Sequence, residues 1–150
     1  MPRLLLVHHT PSPALHSMFT AVRDGASDPL LADVELVTRP ALTAAAADVL
    51  AADAVIVGGP VNLGYLAGAL KHFFDQIYYP CLEETVGRPF GAYLHGNDDL
   101  TGGRTALDRI VTGLRWRPAQ ALVEVTGTPT GTDLERCREL GAATAAGLLD

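Results

Sequence analysis

The chain has 150 residues, a formal charge of −6, 48% hydrophobic residues and 19% charged residues. That is enough apolar material for one ordinary globular core over residues 1–150, and it argues against both disorder and a second full domain. A sequence pI near 5.2 and a single lysine, Lys71, among scattered arginines argue against a nucleic-acid partner, which needs a basic stripe to meet phosphates.

Leu4-Leu5-Leu6-Val7 is far too short to span a bilayer, and no charged-then-apolar leader follows Met1. A cytoplasmic protein without membrane contact is expected. The two cysteines, Cys81 and Cys137, are too few for a disulfide framework or a structural zinc site, and both are expected to be reduced. The 15 glycines and 10 prolines gather at a few points rather than forming a linker.

In chain order, residues 3–8 read as a buried strand. Ser12 is placed to cap a helix, with Pro13 at its first position, where a missing N–H costs little. Leu15, Met18, Phe19 and Val22 give that helix its apolar stripe, and Gly25 is expected to end it. Residues 34–37 form a second strand, and Thr43 is placed to cap a short alanine-rich helix. Residues 53–57 are the clearest buried strand, which Gly58-Gly59-Pro60 is expected to stop. Leu66, Leu70, Phe73, Phe74 and Ile77 mark a third helix, with Pro80 and Cys81 in the loop beyond it. Residues 90–95 form a fourth strand; Gly102-Gly103 precede a helix carrying Leu107, Ile110, Val111 and Leu114. Residues 121–125 form a fifth strand, and Thr132 with Glu135 has capping-box spacing at the start of the last helix.

Strand and helix alternate five times, which implies an α/β fold: a parallel sheet with helices on both faces. Right-handed crossovers and this length fit a three-layer sandwich with strand order 2-1-3-4-5. In such a sheet, ligands bind beyond the carboxyl ends of the strands where the winding reverses, between strands one and three. The loops at that point are 10–15, 60–64 and 96–103, where glycine and proline gather. The first is a helix N-terminus with two hydroxyls, Thr10 and Ser12, which reads either as a plain capped helix start or as an anion cradle.

The middle loop carries a specific pattern. Residues 54–64, read as Ala-Val-Ile-Val-Gly-Gly-Pro-Val-Asn-Leu-Gly, precede Leu70-Lys71-His72-Phe73-Phe74-Asp75. This resembles the flavodoxin and quinone-reductase superfamily, whose signature there is a strand, G-[ST]-P-[TV]-x-x-G, and a helix containing L-K-x-F-x-D. Residues 6–12 resemble the phosphate loop of that superfamily, and residues 96–103 its third loop, so nearly the whole chain is covered in the right order. The resemblance implies a single flavodoxin-like domain over 1–150 that binds FMN. Carried over, phosphate contacts fall on Thr10, Ser12, Ala14 and Leu15. Contacts to the isoalloxazine ring fall on Pro60, Val61, Asn62, Leu63 and Gly64, and the third loop contributes His95, Gly96, Asn97 and Asp98.

The implied activity is electron transfer, either as a small carrier or as an NAD(P)H-dependent flavin or quinone reductase. NAD(P)H then enters as co-substrate, and a redox partner or small-molecule acceptor takes the electrons. Reductases of this superfamily commonly form homodimers or tetramers across the flavin edge, and Leu63, Tyr65, Tyr78 and Tyr79 are candidates for such a surface. The phosphate loop departs from the superfamily's S-x-T-G-N-T. Pro11 and Pro13 carry no N–H, and Leu15 replaces a hydroxyl. Each lost charge-assisted hydrogen bond removes about 1.5–3 kcal/mol, and two would weaken FMN by about two to four decades. The alternative reading is a degenerate flavodoxin-like domain without flavin, used for binding or assembly.

No residue is assigned as a catalytic acid or base. His8 and His9 are adjacent on a strand and point to opposite faces, so no metal site is expected there. Histidines and glycines stand where a response-regulator receiver needs acidic residues. There is no G-x-S-x-G elbow for a nucleophilic hydrolase. Cys137 is expected in the core, and Trp116 as a loop anchor.

Overall fold

The computed structural model describes residues 1–149. Strand β1 (Arg3–His8) lies between β2 (Glu35–Pro40) and β3 (Ala54–Asn62), and β5 (Pro89–Gly96) follows β3 on its other side, all parallel. Strand β7 (Val123–Thr126) completes the far edge against β5, with the two-residue β6 (Arg117–Pro118) ahead of it on the same edge. The five long strands therefore run β2-β1-β3-β5-β7, the expected 2-1-3-4-5. The exception to the parallel pattern is β4 (Tyr65–Leu66), which folds back antiparallel on the end of β3.

Alternation along the strands sorts the core into two layers. Leu4, Leu6, Ile56, Tyr93 and Val125 point to one face, where they meet α1 (Pro13–Ala26) and α5 (Gly131–Ala146) through Leu15, Met18, Val22, Cys137 and Leu140. Leu5, Val7, Val55, Val57 and Leu94 point to the other. There they meet α2 (Ala46–Leu50), α3 (Gly68–Cys81) and α4 (Thr101–Leu114) through Val49, Phe73, Phe74, Leu107 and Val111. A strand buried on both faces has no polar phase, which is why these segments read as continuous apolar runs. Among the described residues, no helix is long and apolar enough to cross a membrane.

Several local expectations are corrected, and most turn on glycine. Gly58-Gly59-Pro60 does not stop β3, which runs on to Asn62. The two glycines serve packing instead. A Cβ at Gly58 would strike the Tyr93 ring, and one at Gly59 would lie 2.8 Å from a Leu70 methyl. Gly25 does not end α1 but lies within it. A Cβ there would strike the Arg138 carbonyl, and one at Gly141 would strike the Val22 carbonyl, so the pair lets α1 and α5 approach backbone to backbone. Gly102 and Gly103 lie in the first turn of α4 rather than before it, and Pro80 and Cys81 in the last turn of α3 rather than beyond it. Leu66 belongs to β4, not α3.

Two caps also differ. Thr43 bonds back to the Pro40 carbonyl, and Asp48 Oδ2 accepts from the Ala45 N–H at 2.9 Å to close the start of α2. The box opening α5 is Thr130 with Asp133, two residues ahead of the expected pair. Asp133 Oδ2 accepts from the Thr130 N–H at 2.9 Å, and Thr130 Oγ1 accepts from the Asp133 N–H at 3.2 Å. Those contacts hold the Asp133 carboxyl below the usual carboxylate range, the Thr130 amide most of all. Trp116 is buried, as an anchor should be; its Nε1–H donates to Thr85 Oγ1 at 2.8 Å.

Candidate functional site

The carboxyl ends of β1, β3 and β5 lie side by side. His8 is opposite Gly58, and Pro60 is opposite His95. The three loops leaving these strands therefore open at one edge, on the line where the sheet reverses its winding.

The first loop turns directly into α1. Ser12 is its N-cap, and its Oγ accepts from the Leu15 N–H at 3.2 Å. Pro13 fills the first helical position. Accepting at Oγ leaves the Ser12 proton free for a ligand, and the Ala14 N–H, in the first turn, has no intrahelical partner. Leu15 buries its side chain in the core, so only its N–H belongs to the loop, and Ser12 holds that. Thr10 Oγ1 lies 2.8 Å from His8 Nδ1. The His8 ring packs on Phe19 at 4.2 Å between centroids. Burial, and secondarily His9, lowers the pKa of His8 below the usual histidine value.

The second loop is a tight hairpin. Val61 pairs with Leu66 and Asn62 with Tyr65, leaving a two-residue turn at Leu63 and Gly64. Both have positive φ, 54° and 75°, the combination that matches the twist of a two-residue hairpin. Gly64 takes that conformation without cost, whereas Leu63 does not. Leu63 is also fully solvent-exposed, and no atom lies within 4 Å of where a Gly64 Cβ would stand. The hairpin tip thus presents bare backbone and one large apolar side chain to solvent.

The third loop locks onto the second. A Cβ at Gly102 would strike the Gly64 carbonyl, one at Gly103 would strike the Val61 side chain, and one at Gly96 would lie 2.5 Å from a Leu100 methyl. Asp99 Oδ1 accepts from the Thr101 hydroxyl at 2.6 Å and from the Thr101 N–H at 3.0 Å, in that order lowering its pKa. Asn97 and Asp98 are exposed and available to a ligand. His95 is not. It is buried, and its Nε2–H donates to the Gly127 carbonyl at 2.7 Å, while the Gly127 N–H donates to the Gly96 carbonyl.

Of the thirteen carried-over residues, then, Thr10, Ser12, Ala14, Val61, Asn62, Leu63, Gly64, Asn97 and Asp98 face the common edge at least in part. Leu15, Pro60, His95 and Gly96 are buried supports. The sequence reading missed the loop after β7. Gly127, Thr128 and Pro129 border a hollow of about 270 Å³ whose opposite wall is Pro13, Ala14 and Ser17 of α1. The Gly-Thr-Pro run just past a strand was the available signal. A separate hollow of about 380 Å³, between β5, α4 and the segment 118–122, lies along the sheet edge away from these loops.

No protein-family model matches the chain, and no curated protein matches it either. Solved structures do. The chain has a flavodoxin-like fold. It is similar to a flavodoxin from the domain Archaea (TM-score 0.82, 16% identity, 99% of each chain covered). It is also similar to a flavodoxin of Streptococcus pneumoniae TIGR4 (TM-score 0.78, 18% identity, 98% of this chain and 99% of that one). A WrbA-like flavodoxin protein from Agrobacterium tumefaciens matches with TM-score 0.76 at 20% identity, over 98% of this chain and 97% of that one.

Proposed function

We propose that this chain is an FMN-binding redox protein that holds the flavin across the carboxyl edge of the sheet. The observation that carries the reading is the convergence of the α1 N-terminus and the β3–β4 hairpin at the β1/β3 switch point, with α4 locked against the hairpin, in a fold whose similar solved structures are named flavodoxins. The donor set suits the group. Thr10 and Ser12 hydroxyls, the Ala14 N–H and the helix dipole are neutral means of holding a phosphate. The exposed hairpin tip, Asn62 to Gly64, offers backbone and the Leu63 side chain to a flat ring, with Asn97 and Asp98 beside its polar rim. FMN, when bound, supplies the one- and two-electron chemistry; the protein's part is to bind and orient it and to limit water.

The test is retention of flavin. Purified protein incubated with FMN and desalted keeps the visible flavin bands and quenches flavin fluorescence on titration. Loss of all flavin with no quenching overturns the reading. It would favour the second one, a flavin-free domain used for binding or assembly, which the two prolines of the phosphate loop support. Within the flavoprotein reading, oxidation of NADH or NADPH by the loaded protein with a quinone acceptor marks a reductase. No oxidation, with reduction by a protein donor, marks a carrier.

For a homodimeric or tetrameric surface beside the flavin, Leu63 and Tyr65 at the hairpin are exposed; Tyr79 is exposed too, but in the last turn of α3, at the far end of that helix from the hairpin. Tyr78 is half-buried, with its hydroxyl end packed against Gly113 of α4.

A further inference from the structure

We propose that His8 is a positioning residue that sets the direction of the Thr10 hydroxyl, so that phosphate binding at the start of α1 tightens as pH falls. This rests on the reading that the first loop holds the FMN phosphate.

One hydrogen lies between His8 Nδ1 and Thr10 Oγ1, 2.8 Å apart, and it can belong to either atom. When the ring is neutral with its proton on Nε2, Nδ1 can only accept. The Thr10 O–H then donates inward, and its oxygen presents lone pairs to an incoming anion. When Nδ1 carries a proton, as in the imidazolium, the ring donates to Thr10 Oγ1. The Thr10 proton is then free to point at the phosphate, and a positive charge stands behind it.

The ring is placed to act this way. It is half-buried and packed on Phe19, so it does not swing away from Thr10. Few other charges reach it. The residue just beyond its strand is His9. From α1, Arg23 lies over the Phe19 ring, 5.4 Å from its centroid, and also approaches Asp24. Opposite His8, β2 brings Pro40 and β3 brings Gly58. Arg39, which is paired with Asp48, lies opposite Val7 and so on the other face of the sheet. Burial and then His9 keep the ring neutral near neutral pH, and a bound dianion opposes both effects.

Pro11 and Pro13 contribute no N–H, and the Leu15 N–H is held by Ser12. The Thr10 hydroxyl is therefore one of few donors left, and its direction matters more here than in a loop rich in N–H groups.

The test compares wild type, His8→Phe and Thr10→Val by fluorescence titration with FMN and with riboflavin, which lacks the phosphate. His8→Phe keeps the packing on Phe19 and removes the acceptor. His8→Phe carries only the titration of the FMN phosphate itself; relative to it, the wild-type Kd for FMN is expected to tighten about tenfold between about pH 8 and about pH 6, with riboflavin flat. At the higher pH, His8→Phe binds FMN several-fold tighter than wild type and does not tighten further as pH falls; Thr10→Val binds weakly and does not tighten either. In parallel, ring ¹⁵N shifts of His8 are followed as inorganic phosphate is added near neutral pH. They are expected to move toward the Nδ1-protonated form in wild type and not in Thr10→Val.

An unchanged slope in His8→Phe, or FMN binding with no response of the His8 ring, overturns this proposal alone. Failure to bind FMN at any pH with a His8 response to phosphate overturns the flavin reading and leaves an anion site governed by His8. Failure of both overturns both.

Discussion

The phosphate end and the ring end of the site share one sheet edge but differ in what holds them. At the ring end, backbone is locked to backbone: the first turn of α4 rests on the hairpin through Gly102 against Gly64 and Gly103 against Val61. That interface is formed before any ligand arrives. At the phosphate end some of the polar groups are already paired, the Leu15 N–H with Ser12 and Thr10 with His8, while the Ser12 proton and the Ala14 N–H stay free. A ligand there meets those free donors but must redirect the Thr10 bond to gain a further one. The contrast assigns shape to one end and tunable affinity to the other.

The strongest way to break the ring end is Gly102→Ala. The added methyl meets a backbone carbonyl, which cannot turn aside as a side-chain tip can. A cost of about 3 kcal/mol, at the upper end for overpacking, is expected in chemical denaturation. Faster amide exchange at residues 62–65 should accompany it, because the hairpin loses its support. Gly64→Ala is the control. Its Cβ would stand in open space, so only the left-handed backbone resists, at about 1 kcal/mol. Equal costs for the two variants would mean that the α4 contact does not hold the hairpin.

At the phosphate end the informative change restores a donor. Pro13→Ala returns an N–H to the first turn of α1, pointing out of the helix start where an anion would lie. About a tenfold tighter Kd for FMN is expected by fluorescence titration, the equivalent of about 1.5 kcal/mol for one charge-assisted bond. The protein itself loses only about 0.5 kcal/mol, because proline at this position chiefly restricts the unfolded chain. An unchanged Kd would place the phosphate away from the helix start.

The same contrast explains what the sequence made legible. Strand order, layers and the α1 cap follow from periodicity and from Ser12-Pro13, features that act within a few residues. The three loops were found because glycine and proline mark strand exits. Glycine's second use was not legible. Gly25, Gly58 and Gly102 look like punctuation in one dimension, yet each is required by an atom far away in sequence, in Arg138, Tyr93 and Gly64 respectively. His95 reads as a ligand contact from its position beside Gly96, but the carbonyl that claims it belongs to Gly127. Nor does the local pattern show that His8 reaches Thr10, since residues two apart share a face only while the strand continues, and β1 ends at His8.

The smallest expected effect is at Leu63, and it separates the two ends most cleanly. Its side chain is wholly exposed, so in the free protein it contributes almost nothing by burial. Its φ of 54° costs about 1–2 kcal/mol in a non-glycine residue. Leu63→Gly relieves that strain while adding about 0.5–1 kcal/mol of unfolded-state entropy, so a net stabilisation of about 0.5 kcal/mol is expected in a denaturant midpoint. A solvent-facing leucine that makes a protein less stable points to a ligand or a second subunit that covers it. If the isoalloxazine lies on the hairpin tip, the same variant weakens both FMN and riboflavin several-fold, because the lost contact is to the ring. The response of the His8 ring to phosphate should be untouched. A variant that is more stable and binds both flavins as before would remove the ring from the hairpin and leave Leu63 as strain without a ligand to explain it.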